Sequence, residues 1–482
     1  MTLRIRSAAV AAMLYAVTSA HAGQAPFAAA APDIPISARD RVYAAEQFSN
    51  TVSVVDPSTN RLLGVIRLGE PQPTNFSPLY RGQVLVHGVG FAPDGRTIAV
   101  VSIGSNSVTF IDTATNAVKH TTYIGRSPHE AFFTPDGREV WVTVRGEDYV
   151  SVLDAKTYEE TARVKTPGGP GMTIFSPDGH FAYVCSSFNP QLVVFDIASR
   201  AEVGRVTQLS PFCPNLAATP DGKQLWYTLK DTGKTVVIDA KPPFATLKVL
   251  DTGPITNQVN FVDTARSHLA YVTVGGLNQV QVFRRDTFAK VATIAVGKLP
   301  HGIWPSGDGT RVYVGLENDD ALVAIDTASN KVIASIPIGQ AAQAVNYVAN
   351  AVPSGDGTSG LQPLGIAGGV THITLGVRGA SGPAPTSVSL FDQGLVQILE
   401  AAVTGLSPTA PYVLGLATTA DGGGDIEPLA SFKTNSSGAA IVNATGPIRA
   451  LVQPGTPIQQ RYLVITPGIP GQSGTPVQVQ QN

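Results

Sequence analysis

A short apolar segment ending in aspartate returns again and again along this chain, and its spacing constrains the fold more than any other feature. The unit TVSVVD ends at Asp56, SVTFID at Asp112, YVSVLD at Asp154, QLVVFD at Asp196, TVVID at Asp239 and ALVAID at Asp326. A seventh copy, QVQVF, carries Arg284 where the aspartate belongs. After the first copy the steps are 42 to 45 residues; the first is longer because residues 70–84 are inserted. A second series runs beside it. Asp94, Asp136, Asp178 and Asp221 lie in Pro-Asp-Gly turns, with weaker copies at Asp263 and Asp308. Proline presets one dihedral, aspartate bonds locally and glycine accepts positive φ, so each copy is a tight turn between strands. Short strands such as VWVTV, LWY and AYVTV follow the turns. A fourth strand of the form VIRLG or IASIPIG closes each repeat. Four strands at this period make one blade of a β-propeller.

The ends of the repeat region complete the ring. Residues 41–69 supply three strands without an inner one, and QAVNYVA at 343–349 supplies an inner strand alone. Joined, they make one blade and remove the open edges. The expected fold is all-β: a seven-bladed propeller over 41–349, closed by N- and C-terminal strands. Six blades is the alternative if the weak copy around Asp263 is not a full blade.

YVTV followed by GGLNQVQVF, then VYVGLENDDALVAID and the repeated SPDG and TPDG turns, resembles the YVTN family of β-propeller repeat proteins. The resemblance covers roughly residues 41–350. It implies the propeller and an exported or surface location, and it implies no particular chemistry. The complete ligand sets of sugar-lactone hydrolases, quinoprotein dehydrogenases or copper-containing nitrous oxide reductase propellers are not found.

The flanks set the remaining boundaries. Arg4 and Arg6, the apolar stretch Ala8 to Ala20 and the small residues around Ala22 read as a signal peptide over 1–22, hence a periplasmic or extracellular protein. No later segment has the length and polarity of a transmembrane helix. Residues 350–365 read as a linker. Strand-like pieces such as THITL, TSVSLF, VQILEAAV and RYLVIT read as a β-sandwich over 366–466. A loosely ordered, flexible tail is expected over 467–482. With net charge −2 and 14% charged residues, the chain has no basic footprint for nucleic acid. The expected partner is a small ligand or another exported protein.

Chemistry points to the inner strands. His87, His129 and His301 each lie seven residues before a turn aspartate. All three therefore begin an inner strand near the mouth of the central channel. The other copies carry Gly171, Pro214 and Thr256, with Gln343 in the closing blade. Blade order makes His301, Gln343, His87 and His129 consecutive. Neutral imidazoles converging on a channel suit copper, zinc, nickel or iron, and three histidines with an open position match a catalytic donor set. The metal set is then His87, His129 and His301, with Glu130 and Gln343 as supporting contacts. Without metal, His87, His129, His301 and Gln343 line a ligand funnel, or the histidines are structural. Cys185 and Cys213 form a candidate disulfide pair toward the same face. Glu147 and Asp148, and Glu317, Asp319 and Asp320, sit on interblade loops, where solvated charge is the ordinary reading. No G-x-S-x-G elbow, nucleotide loop or CxxCH haem site is present. The leading expectation is a binding propeller that recognises a ligand or protein on its funnel face. The rivals are a metal-binding protein or metalloenzyme, hydrolase or oxidoreductase, and a structural envelope protein.

Overall fold

Each repeat folds as four antiparallel strands running outward from a central channel. The computed structural model describes residues 35–69, 84–264, 267–365, 370–392, 397–445 and 461–481. The candidate signal peptide lies outside the described residues. The second blade shows the pattern: Val86–Phe91 innermost, then Thr97–Ser102, Ser107–Asp112 and Val118–Tyr123 at the rim. The three inner strands are almost wholly buried, and only the rim strand is largely exposed. A blade packs against a neighbour on both faces, so both alternating sets of side chains must be apolar or hydrogen-bonded. Seven such sheets make the ring.

The two aspartate series do separate turn work. Asp94 accepts the Arg96 amide at 2.9 Å, beside Gly95 at φ +69°. Asp112 accepts the Ala114 and Thr115 amides at 3.1 and 3.0 Å, ahead of Asn116 at φ +56°. Local side-chain bonds of this kind favour turns over continued strand.

Closure follows the expected pairing. Ala342–Val348 lies antiparallel to Arg41–Glu46, with Val345 opposite Ala44. Asp40 fastens the seam, accepting the Tyr347 hydroxyl and the Asn350 amide. Arg41, 2% exposed, bonds the carbonyls of Ala38, Asp40 and Asp356.

After the seam the chain changes face. Residues 351–365 start beside the Pro-Asp-Gly turns, where Arg96 bonds the Asn350 carbonyl. They then run along the rim of the first blade, where Gln362 bridges Val65. This strap leads to a second β domain on the opposite face.

That domain differs from the expected sandwich. Its strands form one sheet in the order Ile426–Lys433, Pro411–Ala417, Tyr462–Ile469, Gln478–Gln481, Val370–Val377, Thr386–Asp392, Gln397–Val403 and Ala440–Thr445. The first and last strands are neighbours in space without a hydrogen-bonded ladder, so the sheet curls into a nearly closed barrel. Leu375, Val388, Leu399, Leu414 and Ile465 meet in its centre. Alternation alone is the same for a sandwich and a barrel, which is why the pattern did not separate them. The supposed loose tail is also corrected. Gln478–Gln481 fills a gap in the sheet, pairing with both Val370–Val377 and Tyr462–Ile469. Among the described residues no helix is long and apolar enough to cross a membrane.

One buried acid makes propeller stability pH-dependent. Glu46 is 0% exposed, and burial pushes its pKa up from 4.5 to about 7, against the hydrogen bonds of Ser53 and Thr51. The folded state therefore binds this proton more tightly than the unfolded chain. The contribution is fully present below about pH 4.5 and is lost as pH rises through 7, to an upper limit of about 3 kcal/mol. Glu46→Gln is expected to match the parent at pH 4 and exceed it at pH 8 in urea denaturation.

Candidate metal site

The inner strands share a defect that builds the site. Pairing with the second strand slips between Val86 and Val89, between Pro128 and Ala131, and between Pro300 and Ile303. Such a bulge places one extra residue opposite the partner strand and re-aims side chains. The slipped residues are His87-Gly88, His129-Glu130 and His301-Gly302. The repeat thus delivers three imidazoles to one end of the channel. They are 7%, 5% and 7% exposed.

His87 and His129 stand closest, with ring centroids 4.3 Å apart. The His301 ring is 6.4 Å from that of His87, edge-on. Donor atoms of His87, His129 and Glu130 all lie within 4.8 Å of one another. Gly88 is what admits the carboxylate: a Cβ there would sit 2.4 Å from Glu130 Oε2 and 2.4 Å from the His129 carbonyl.

Each imidazole has its own surroundings. His129 Nδ1 lies 2.7 Å from the Gly171 carbonyl of the next blade. Nδ1–H donates there, leaving Nε2 free as a ligand, the usual way a protein orients a metal-binding histidine. His87 Nδ1 is buried without a hydrogen-bond partner. Burial, then the nearby Arg145 charge, hold His87 and His129 well below the ordinary histidine pKa, so both are neutral at pH 7. Burial pushes Glu130 up to about 8, with Arg145 pulling the other way. His301 Nδ1 meets Glu317 Oε2 at 3.0 Å, and Glu317 Oε1 accepts the Gln343 amide at 2.8 Å. Gln343 thus anchors Glu317 and adds no donor to the cluster.

His87, His129 and His301 open on a cavity of about 750 Å³, whose wall includes Arg145, Lys230, Asp231 and Glu317, whereas Glu130 lines a separate small space with Val89 and Phe132. The far wall is the barrel, with Glu400, Ile441 and Asn443. Sequence reasoning missed Arg145, Lys230 and Glu400. None occupies the histidine position of the repeat, and Glu400 belongs to another domain. Its one signal was a carboxylate between Ile398 and Ala402 in an apolar strand.

The remaining candidates lie apart from the cluster. Cys185 and Cys213 are joined as a disulfide between neighbouring blades, with Cα atoms 6.0 Å apart. Glu147 pairs with Arg126 at 2.8 Å and Asp148 with Lys165. Asp319 caps the Lys298 amide at 2.6 Å, and Asp320 holds the Ala341 amide at 3.0 Å and His372 at 3.4 Å. Of Glu147, Asp148, Glu317, Asp319 and Asp320, only Glu317 lines the cavity.

A family model described as lactonase, 7-bladed beta-propeller, matches residues 111–332. That span includes His129, Glu130 and His301 and stops short of His87 and the barrel. No curated protein matches the chain. Among solved structures, a functionally unknown protein from Desulfotomaculum acetoxidans DSM 771 is similar at 15% identity and TM-score 0.54, covering 63% of this chain and 98% of its own. Hydrazine synthase of Kuenenia stuttgartiensis is similar at 20% identity and TM-score 0.49, over 54% of this chain and 89% of its own. At these identities the likeness concerns the fold alone, and the second adds no argument.

Proposed function

We propose that the chain is a metal-binding protein that hydrolyses cyclic esters, with a divalent transition metal held by His87, His129 and Glu130. The buried cluster of two imidazoles and one carboxyl carries this reading. Two nitrogens and one carboxylate oxygen suit zinc or iron(II) better than a purely soft or purely oxygen-loving ion. A metal there would polarise the ester carbonyl and activate water. The lactonase family match over the repeat supports the substrate class. Water adds to the acyl carbon, the ring C–O bond breaks, and the released oxygen takes a proton. His301, held at Nδ1 by Glu317, is the group we assign to that proton transfer.

The cluster favours this reading over metal-free recognition of a ligand or partner, because buried imidazoles beside a carboxyl are a costly way to line a funnel. Kinship with the YVTN proteins, export directed by residues 1–22, and a periplasmic or extracellular location are also part of the proposal, supported by the repeat motifs and the N-terminal pattern. The test is elemental analysis after dialysis against zinc, iron(II), copper and nickel, followed by assay on a panel of lactones. About one metal per chain and metal-dependent ring opening are expected. No bound metal under any loading overturns the reading.

A further inference from the structure

The barrel strand Gln397–Val403 has two faces with different duties. Leu399, Ala401 and Val403 point into the barrel core. The alternate residues turn to the propeller: Ile398 packs with the cluster of Phe48, Ala341 and Phe391, and Ala402 packs with Ile255 and Leu299. Between them, on the same apolar face, sits Glu400, 4% exposed. Its neighbours across the sheet are Ser389 and Asn443. Ser389 is already engaged, donating to Asn318 of the propeller at 3.1 Å. Glu400 Oε1 is buried with no hydrogen-bond partner. The carboxyl lines the same cavity as the histidines and lies against that of Glu317.

An apolar residue here would complete the interface at lower cost, since a buried carboxyl with one oxygen unpaired destabilises a fold. From this juxtaposition we infer that the barrel is a built-in wall of the metal cavity and that Glu400 is a positioning residue, fixing Glu317 and through it His301. The inference goes beyond the proposed hydrolysis. It assigns the second domain a place in the site and makes the propeller alone incomplete.

The charges agree with this geometry. Two carboxyls this close, shielded from water, share one proton. Burial alone would raise Glu317, but His301, Lys230 and the Gln343 amide bring it below the usual carboxylate range. Burial and the Glu317 carboxyl hold Glu400 well above the usual range. Glu400 is the member that keeps the proton and donates to Glu317. Glu317 then has three donors around it: the His301 ring, the Gln343 amide and the Glu400 hydroxyl.

The test compares Glu400→Leu and Glu400→Gln in the full chain by nitrogen-15 spectroscopy of labelled histidine rings, with metal content and thermal unfolding measured alongside. Glu400→Leu is expected to shift the His301 ring resonances while those of His87 and His129 stay in place. Glu400→Gln, whose amide still donates to Glu317, is expected to restore the His301 signals. Glu400→Leu should also raise Tm by ~2 °C, because it removes a buried carboxyl from an apolar interface. His301 resonances unchanged in Glu400→Leu overturn the inference, whatever the Tm. The ring readout does not need bound metal, so a parent that binds none would end the metal reading and leave this test intact.

Discussion

Replacing His87 and His129 together by alanine is expected to abolish metal binding while the propeller stays folded. The two rings supply two of the three donors in the cluster. A lone Glu130 carboxyl, pushed up to about 8 by burial, is a poor ligand by itself. Losing both nitrogens should lower affinity by at least ~10²-fold, the upper end of what removing even a supporting contact costs at metal sites. The fold should tolerate the change. His87 Nδ1 is unsatisfied in the native state, so removing that ring removes a cost, although the space left behind takes some stability away. The measurement is metal content after loading, with circular dichroism and Tm as the control. Parent-like metal content in the folded double variant would place the metal elsewhere. His301→Ala is the informative companion. Under the proposed assignment it retains metal and loses ring opening, whereas the three-histidine set expected from the repeat predicts that metal is lost too.

The second large effect concerns the seam. Val345 is 2% exposed on the closing strand and faces Ala44, which is 0% exposed. Val345→Asp puts a carboxylate into that contact, against Ala44 and the backbone at Gly302 and Gly315. The expected loss is about 3–5 kcal/mol, the range for an uncompensated buried charge. Urea denaturation should show a large fall in midpoint, and protease cleavage should begin in the first blade. A midpoint within about 0.5 kcal/mol of the parent, near the ordinary effect of a surface substitution, would mean that the ring does not depend on this pairing.

Much of this was legible in the residues. The aspartate series set the repeat, the unmatched strands at its two ends set the closure, and a constant offset from the turn brought His87, His129 and His301 to one end of the channel. Glu130 was legible only as a supporting contact, and its place in the donor cluster was not. In a regular strand neighbouring side chains point to opposite faces, so a residue next to His129 reads as lying behind the ligands. The bulge breaks that rule, and an unpaired residue leaves no mark in an alternating pattern. The barrel was hidden for a related reason. Strand periodicity tells which side chains share a face, and sheet closure is decided by tilt and pairing between segments far apart in the chain. Glu400 looked like an isolated acid because its meaning depends on which domain face it meets.

The seam also has a temporal side. Arg41–Glu46 is synthesised before its partner Ala342–Val348, which follows about 300 residues later. At 5–20 residues per second the ribosome needs roughly 15–60 s to deliver it. Through that interval the nascent ring carries an unpaired strand edge whose proper mate does not yet exist. A closing strand from a second chain would fit the same edge equally well. Crowded synthesis therefore invites two rings to exchange their closing strands, and the seam that stabilises the finished ring is also where a swapped dimer would form.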